Sequence, residues 1–143
     1  MLSFQTTYAI QIFDLLQQSE GGMSVSEIHT HFTYLPTRTI ITDVVRSMEI
    51  GELIRKISGR DRRLRIAVSL SKMTLYDLIL IMDGKIEFGK PVCFSHWYSD
   101  YLRRRPHVAE MERELEEKIA AVLRTVTVAE LCNPYPCRTE KSY

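Results

Sequence analysis

Leu64, Ile66, Val68 and Leu70 alternate strictly with Arg63, Arg65, Ala67 and Ser69. A period of two is the signature of a strand with one buried face. Upstream, "LIRKI" offers a partner strand, and Gly59 sits in the turn between the two. The segments on either side of this hairpin follow a helical period instead, so a single two-stranded element has to be fitted among helices.

Before it, Phe4, Tyr8, Ile12, Leu15 and Leu16 recur at helical spacing until "SEGG", where two glycines can end a helix of about four turns. Ser24 stands three residues before Glu27, a capping-box arrangement, and Val25, Ile28 and Phe32 share a face behind it. After "TYLP", Ile40, Ile41, Val44, Val45 and Met48 form an apolar stripe, while Thr37, Arg38, Thr39, Thr42, Asp43 and Arg46 stay polar. Short helix, brief turn and longer helix make a helix-turn-helix, and three helices followed by a hairpin make a winged helix. Beyond the wing, Thr74 and Asp77 predict a second capping box, Met73 and Leu78 are placed for a hydrophobic staple, and Gly84 closes that helix. From Pro106, residues Val108, Met111, Leu115, Ile119, Val122 and Val126 recur every three or four positions, opposite a face of Glu110, Glu112, Arg113, Glu114, Glu116, Glu117 and Lys118. Little chain remains to cover such a stripe. A homodimer interface is the expected answer, with packing onto the first helix of the same chain as the other.

The expected fold class is therefore mainly α with a small β-hairpin: a winged helix-turn-helix domain plus a long C-terminal dimerisation helix. Residues 1–83 form the DNA-binding domain with its linker helix, 84–131 an aromatic connecting segment and the dimerisation helix, and 132–143 a mobile tail with two prolines. The chain's 143 residues suit one domain with an appended element. No apolar run approaches the roughly 20 residues that span a bilayer, and the N-terminus lacks a basic region followed by an unbroken apolar stretch, so no membrane partner and a cytoplasmic location are expected. Three widely spaced cysteines, Cys93, Cys132 and Cys137, read as free thiols rather than a secreted disulfide framework. Cys132 and Cys137 are nevertheless candidates for a redox-sensitive disulfide. There is no phosphate-binding Gly loop, no pocket-forming carboxylate pair and no nucleophile with a recognisable base, so the protein is not expected to be an enzyme.

Charge points to the partner. The chain carries 19 Lys and Arg against 18 Asp and Glu, yet six of the eleven residues from Arg55 to Arg65 are basic. Arg60, Arg62, Arg63 and Arg65 at the wing are expected to lie along the phosphates of double-stranded DNA, releasing counterions without reading much sequence. Thr37, Arg38, Thr39, Thr42 and Arg46 occupy the exposed face of the helix that enters the major groove in this motif. Gln5, Thr6 and Thr7 could reach phosphate from the start of the first helix, or serve as ordinary caps. Residues 1–67 have a net charge of only +1, and winged helices also serve as docking platforms, so a protein–protein interaction module without specific DNA binding is the alternative. Between the two functional elements, Cys93, Phe94, His96, Trp97 and Tyr98 form a candidate sensor for a small-molecule or redox effector, against plain core packing of the aromatics. No metal site is expected, since Cys93 and His96 supply only two ligands.

These motifs, in this order, resemble the Rrf-two family of bacterial winged-helix transcription regulators, the IscR, NsrR and CymR type. "LSFQTTYAIQ" is similar to the family's opening helix, "MEIGELIRKISGRDRRLRIA" to its helix-to-wing passage, "MTLYDLILIMDG" to its linker helix and "TVTVAEL" to its closing motif. The resemblance implies a dimeric regulator, expected to be a repressor, that binds a palindromic, inverted-repeat operator. Two departures stand out. Where the family's wing carries Gly-Gly and an aromatic residue, this chain has Arg62, Arg63 and Leu64. Where cluster-binding members hold three cysteines, it keeps Cys93 alone, so no iron-sulfur cofactor is expected.

Overall fold

A computed structural model of the chain describes residues 2–32, 37–57, 59, 62–84 and 103–132. The described chain runs α1 (Phe4–Gln18), α2 (Val25–Thr30), α3 (Arg38–Ile50), β1 (Ile54–Lys56), β2 (Leu64–Ile66), α4 (Leu75–Asp83), α5 (Pro106–Leu123) and α6 (Val128–Cys132). It is mostly helical with one antiparallel hairpin, the winged-helix arrangement that the two hydrophobic periods predict. Both expected capping boxes form. The side chain of Ser24 accepts from the Glu27 N–H while Glu27 accepts from the Ser24 N–H, and Thr74 and Asp77 make the same exchange. Gly84 ends α4 with a φ of 83°, a left-handed conformation that glycine adopts without steric cost.

The hairpin pairs Ile54 with Ile66, Arg55 with Arg65 and Lys56 with Leu64. It is shorter than the alternating sequence. Beyond Ile66 the Ala67 N–H still reaches across, to the Leu53 carbonyl at 2.9 Å. The chain then turns over Ser69, whose carbonyl accepts from the N–H groups of Lys72 and Met73, and this turn keeps Leu70 buried while aiming the chain into α4. On its other edge β2 is zipped to the α1–α2 connection: Met23 and Leu64 exchange backbone bonds of 3.1 and 2.8 Å.

The core lies where α1, α3, α4 and the hairpin meet. Ile12, Phe13, Ile28, Ile41, Met48, Leu53, Ile54, Leu64 and Leu78 are fully buried. Removing each such side chain from water contributes about 1.5–3 kcal/mol, so the domain has the apolar burial that a rigid binding platform needs. Phe32, just past α2, meets Tyr8 edge-on at 5.8 Å and closes the helix-turn-helix over α1.

The C-terminal boundary differs from the sequence expectation. The sequence places the start of a mobile tail at residue 132, but Cys132 is buried in α6, with its thiol against the Ile10 carbonyl of α1. Backbone bonds from Leu75 N–H to Val126, from Val128 N–H to Met73 and from Ala129 N–H to Leu70 zip the 126–129 segment onto the entrance of α4. The winged-helix unit thus recruits residues 126–132. Residues 85–102 and 133–143, which hold most of the expected connecting segment and tail, lie outside the described residues.

Candidate nucleic-acid interface

The hydroxyl-rich face of α3 is exposed because its opposite face is consumed by the core: Ile41, Val44, Val45 and Met48 are buried. Thr37, Arg38, Thr39 and Arg46 stand in solvent, with Thr42 half-buried. Arg38 donates to the Ser26 hydroxyl at 2.9 Å, which ties α3 to α2. Thr42 donates to the Arg38 carbonyl at 2.8 Å, so its hydroxyl proton is committed, and its methyl group and oxygen lone pair are what it can offer a ligand. Ile40, assigned to the apolar stripe by sequence, is 43% exposed on the edge of this face.

Between α2, α3 and the wing runs a groove of about 650 Å³ lined by Ser24, Ser26, Thr42, Arg46, Glu49, Ile50, Lys56 and Arg62. Three cations face one acid there, and Glu49 lies 3.7 Å from Lys56. Such a groove offers hydroxyls and positive charge to an extended anion.

The structure brings together only part of the expected set. Thr42, Arg46 and Arg62 line the groove. Lys56, Ser24 and Ser26 join them, although sequence reasoning does not place them in the site. For Lys56 the placement comes from the register: it pairs with Leu64, so strand alternation puts both on the same face of the hairpin. The same alternation sends Arg65 to the far face of the hairpin, beside Ser19 and Glu20 at the end of α1. There it stands opposite Arg55, a like-charge cross-strand pair that weakens the hairpin in the absence of an anion. Thr6 leaves the set altogether. It is fully buried and donates to Asp83 at 2.7 Å, while Thr7 is half-buried and donates to the Ser3 carbonyl. Arg63 folds back onto the domain, donating to the Gly22 carbonyl at 2.9 Å and to Glu27 at 3.1 Å. Arg60 and the candidate sensor residues Cys93, Phe94, His96, Trp97 and Tyr98 lie outside the described residues.

A second surface lies on α5. Met111, Leu115 and Val122 are 60%, 48% and 64% exposed, and Val108 and Ile119 are half-buried. The helix meets its own chain near its C-terminal end, where Ala120 is buried and the Arg124 guanidinium stands 4.1 Å above the Tyr76 ring of α4. Val126, grouped with the stripe by sequence spacing, lies beyond the end of α5. Its carbonyl accepts from the Leu75 N–H within the same chain, so it belongs to the seam with α4.

Among known proteins, residues 2–134 match the Rrf2 family, described as an iron-dependent transcriptional regulator. The chain belongs to the Rrf2 family. Its fold is shared with CymR, the global cysteine regulator of B. subtilis, at a TM-score of 0.64 and 17% identity, over 92% of this chain and 95% of that one. IscR of T. potens superposes with a TM-score of 0.60 at 19% identity, over 92% and 85% of the two chains. The oxidised form of Staphylococcus aureus CymR gives 0.62 at 14%, over 94% and 98%. A comparison with curated proteins returned no match.

The iron in the Rrf2 description meets an unsuitable donor set here. Of the three cysteines, Cys132 is packed in the core, and burial, with the charge of Asp14 adding to it, pushes its thiol up to about 11. A neutral, buried thiol is a poor ligand. Among the described residues no group of three His, Cys, Asp or Glu side chains could surround a metal ion. Cys93 and Cys137 remain, two thiols where a two-iron cluster takes four ligands dominated by thiolates. No helix among the described residues is long and apolar enough to cross a membrane.

Proposed function

We propose that this Rrf2-family regulator binds double-stranded DNA as a homodimer, and that it represses transcription by occupying an inverted-repeat operator. The groove between α3 and the wing carries this reading, because Arg46, Lys56 and Arg62 converge on one trough beside the exposed face of the helix that enters the major groove in such motifs. In it, phosphates engage the three cations, while Arg38, Thr39, Ile40 and Thr42 face base edges. Arg reads guanine, and the methyl groups of Thr and Ile suit thymine. Modest affinity is expected from a domain of nearly balanced charge. The stripe of Val108, Met111, Leu115, Ile119 and Val122 on α5 is the dimer contact. Pairing two protomers there gives the two-fold symmetry that an inverted repeat mirrors.

Selection of bound duplexes from a randomised pool tests the reading. The expected product is an enriched inverted repeat, and a promoter carrying it should fire more strongly in cells lacking the protein. Failure to shift any duplex at low salt would instead favour a module that docks on other proteins.

A further inference from the structure

Arg63 stands where the wing's charge implies a DNA contact, yet its half-buried side chain is tied to the domain's own residues. Nη1 donates to the Gly22 carbonyl at 2.9 Å, and Nη2 meets Glu27 Oε1 at 3.1 Å. Glu27 is itself anchored. Its Oε2 accepts from the Ser24 N–H at 3.3 Å, and its own N–H donates to the Ser24 hydroxyl at 3.2 Å. Gly22 has a φ of 76°, and a Cβ there would stand 2.6 Å from the Leu64 carbonyl oxygen, so the α1–α2 connection presses directly on β2. Adjacent Met23 and Leu64 bond to each other in both directions. Among the described residues, the Arg63 guanidinium closes this seam with one prong on a backbone carbonyl and one on a carboxylate.

Next to it, Arg62 has a φ of 46°. Residues other than glycine keep such a left-handed backbone only where their surroundings hold them. Its side chain lines the α3 groove with Arg46 and Lys56. We infer that Arg63 is a positioning residue: it braces the wing against the α1–α2 connection and thereby holds Arg62 in the left-handed backbone that delivers its guanidinium to the groove. This rests on reading the groove as the DNA site. The two adjacent arginines divide the work, with Arg63 fixing the wing and Arg62 meeting the phosphate. Lys in place of Arg63 would keep the charge but lose the planar fork that spans both acceptors.

Two measurements on the full chain test this, one without DNA and one with it. In the free protein, amide hydrogen exchange at Met23 and Leu64 reports the seam. Arg63→Ala and Arg63→Lys should each accelerate it roughly fivefold, the scale of a partly exposed charged pair. Arg62→Ala should not accelerate it. Combining Arg63→Ala with Glu27→Gln should give less than the product of the two single effects. On duplex DNA across a salt series, Arg63→Ala should weaken binding while leaving the salt slope in place, whereas Arg62→Ala should flatten the slope by about 0.9 for the one phosphate it no longer neutralises. Unchanged exchange in Arg63→Ala would overturn the brace. So would a flattened slope in Arg63→Ala that Lys restores, because that is the behaviour of a residue bound to phosphate. Wild-type protein that binds no duplex would refute the proposed function, and the exchange data would then decide the brace by themselves.

Discussion

Asp83→Ala removes one carboxylate that holds two helices together. Asp83 lies at the C-terminal end of α4, the unfavourable end of that helix dipole for an anion, and it is kept there by the first turn of α1. The Ser3 hydroxyl donates to its two oxygens at 2.6 and 2.7 Å, and the Thr6 hydroxyl donates at 2.7 Å. Ser3 is partly open to solvent and can turn to water, so its loss costs less than about 1 kcal/mol. Thr6 is fully buried, and stranding its hydroxyl costs about 1–3 kcal/mol. Together these give about 1–4 kcal/mol, which in a chain of this length lowers Tm by roughly 3–12 °C. Scanning calorimetry of Asp83→Ala, Thr6→Val and the double variant measures it. Thr6→Val in the Asp83→Ala background removes the stranded group, so the double variant should be more stable than the sum of the singles predicts. A fall in Tm below about 2 °C for Asp83→Ala, or strict additivity, would mean that Asp83 does not tie Thr6 to α4. Thr6→Val should also leave DNA affinity per folded molecule unchanged, as a buried residue must.

Leu115→Lys places a charge in the middle of the apolar stripe of α5, and sedimentation velocity should then report a monomer that binds a full operator far more weakly than a half-site difference explains; an unaltered dimer would remove α5 from the interface. Cys132, with its thiol raised to about 11 from the ordinary 9.0, holds its proton in the folded chain when the unfolded chain has released it. Its contribution to stability is therefore fully present below pH 9 and lost as pH rises toward 11, a decline that Cys132→Ala should reduce in urea titrations. At a pH of about 8 the thiol should also resist alkylation until the protein unfolds. Protein purified without oxygen should be colourless and contain no stoichiometric iron or acid-labile sulfide; a brown preparation bleached by air would overturn the reading of the cysteines.

The helices and the hairpin are legible in the sequence because local periodicity and short-range caps specify them. The Ser24–Glu27 and Thr74–Asp77 exchanges each close over a single helical turn, and the strand alternation around Leu64 fixes which side chains turn inward. What the sequence hides lies in long-range pairings. Arg63 meets Gly22 across 41 positions, and Thr6 meets Asp83 across 77. Neither leaves a periodic trace, so one hydroxyl and one guanidinium that look like DNA ligands are internal ties. Lys56 is hidden differently. Its charge counts with the wing, but its face follows only from the register that pairs it with Leu64. Val126 continues the stripe's spacing past the point where α5 stops, since spacing alone does not mark a helix end that lacks a glycine or proline.

If Arg46, Lys56 and Arg62 form one phosphate-binding trough, the salt dependence of duplex binding reports it. Each phosphate left without its cation should flatten the plot of log affinity against log salt by about 0.9, so Arg46→Ala, Lys56→Ala and Arg62→Ala combined should remove about 2.7 units of slope per half-site. Arg55→Ala with Arg65→Ala, on the far face of the hairpin, should leave the slope nearly as it was. A triple variant that binds duplex DNA with the wild-type slope would mean that these three cations do not meet the phosphates.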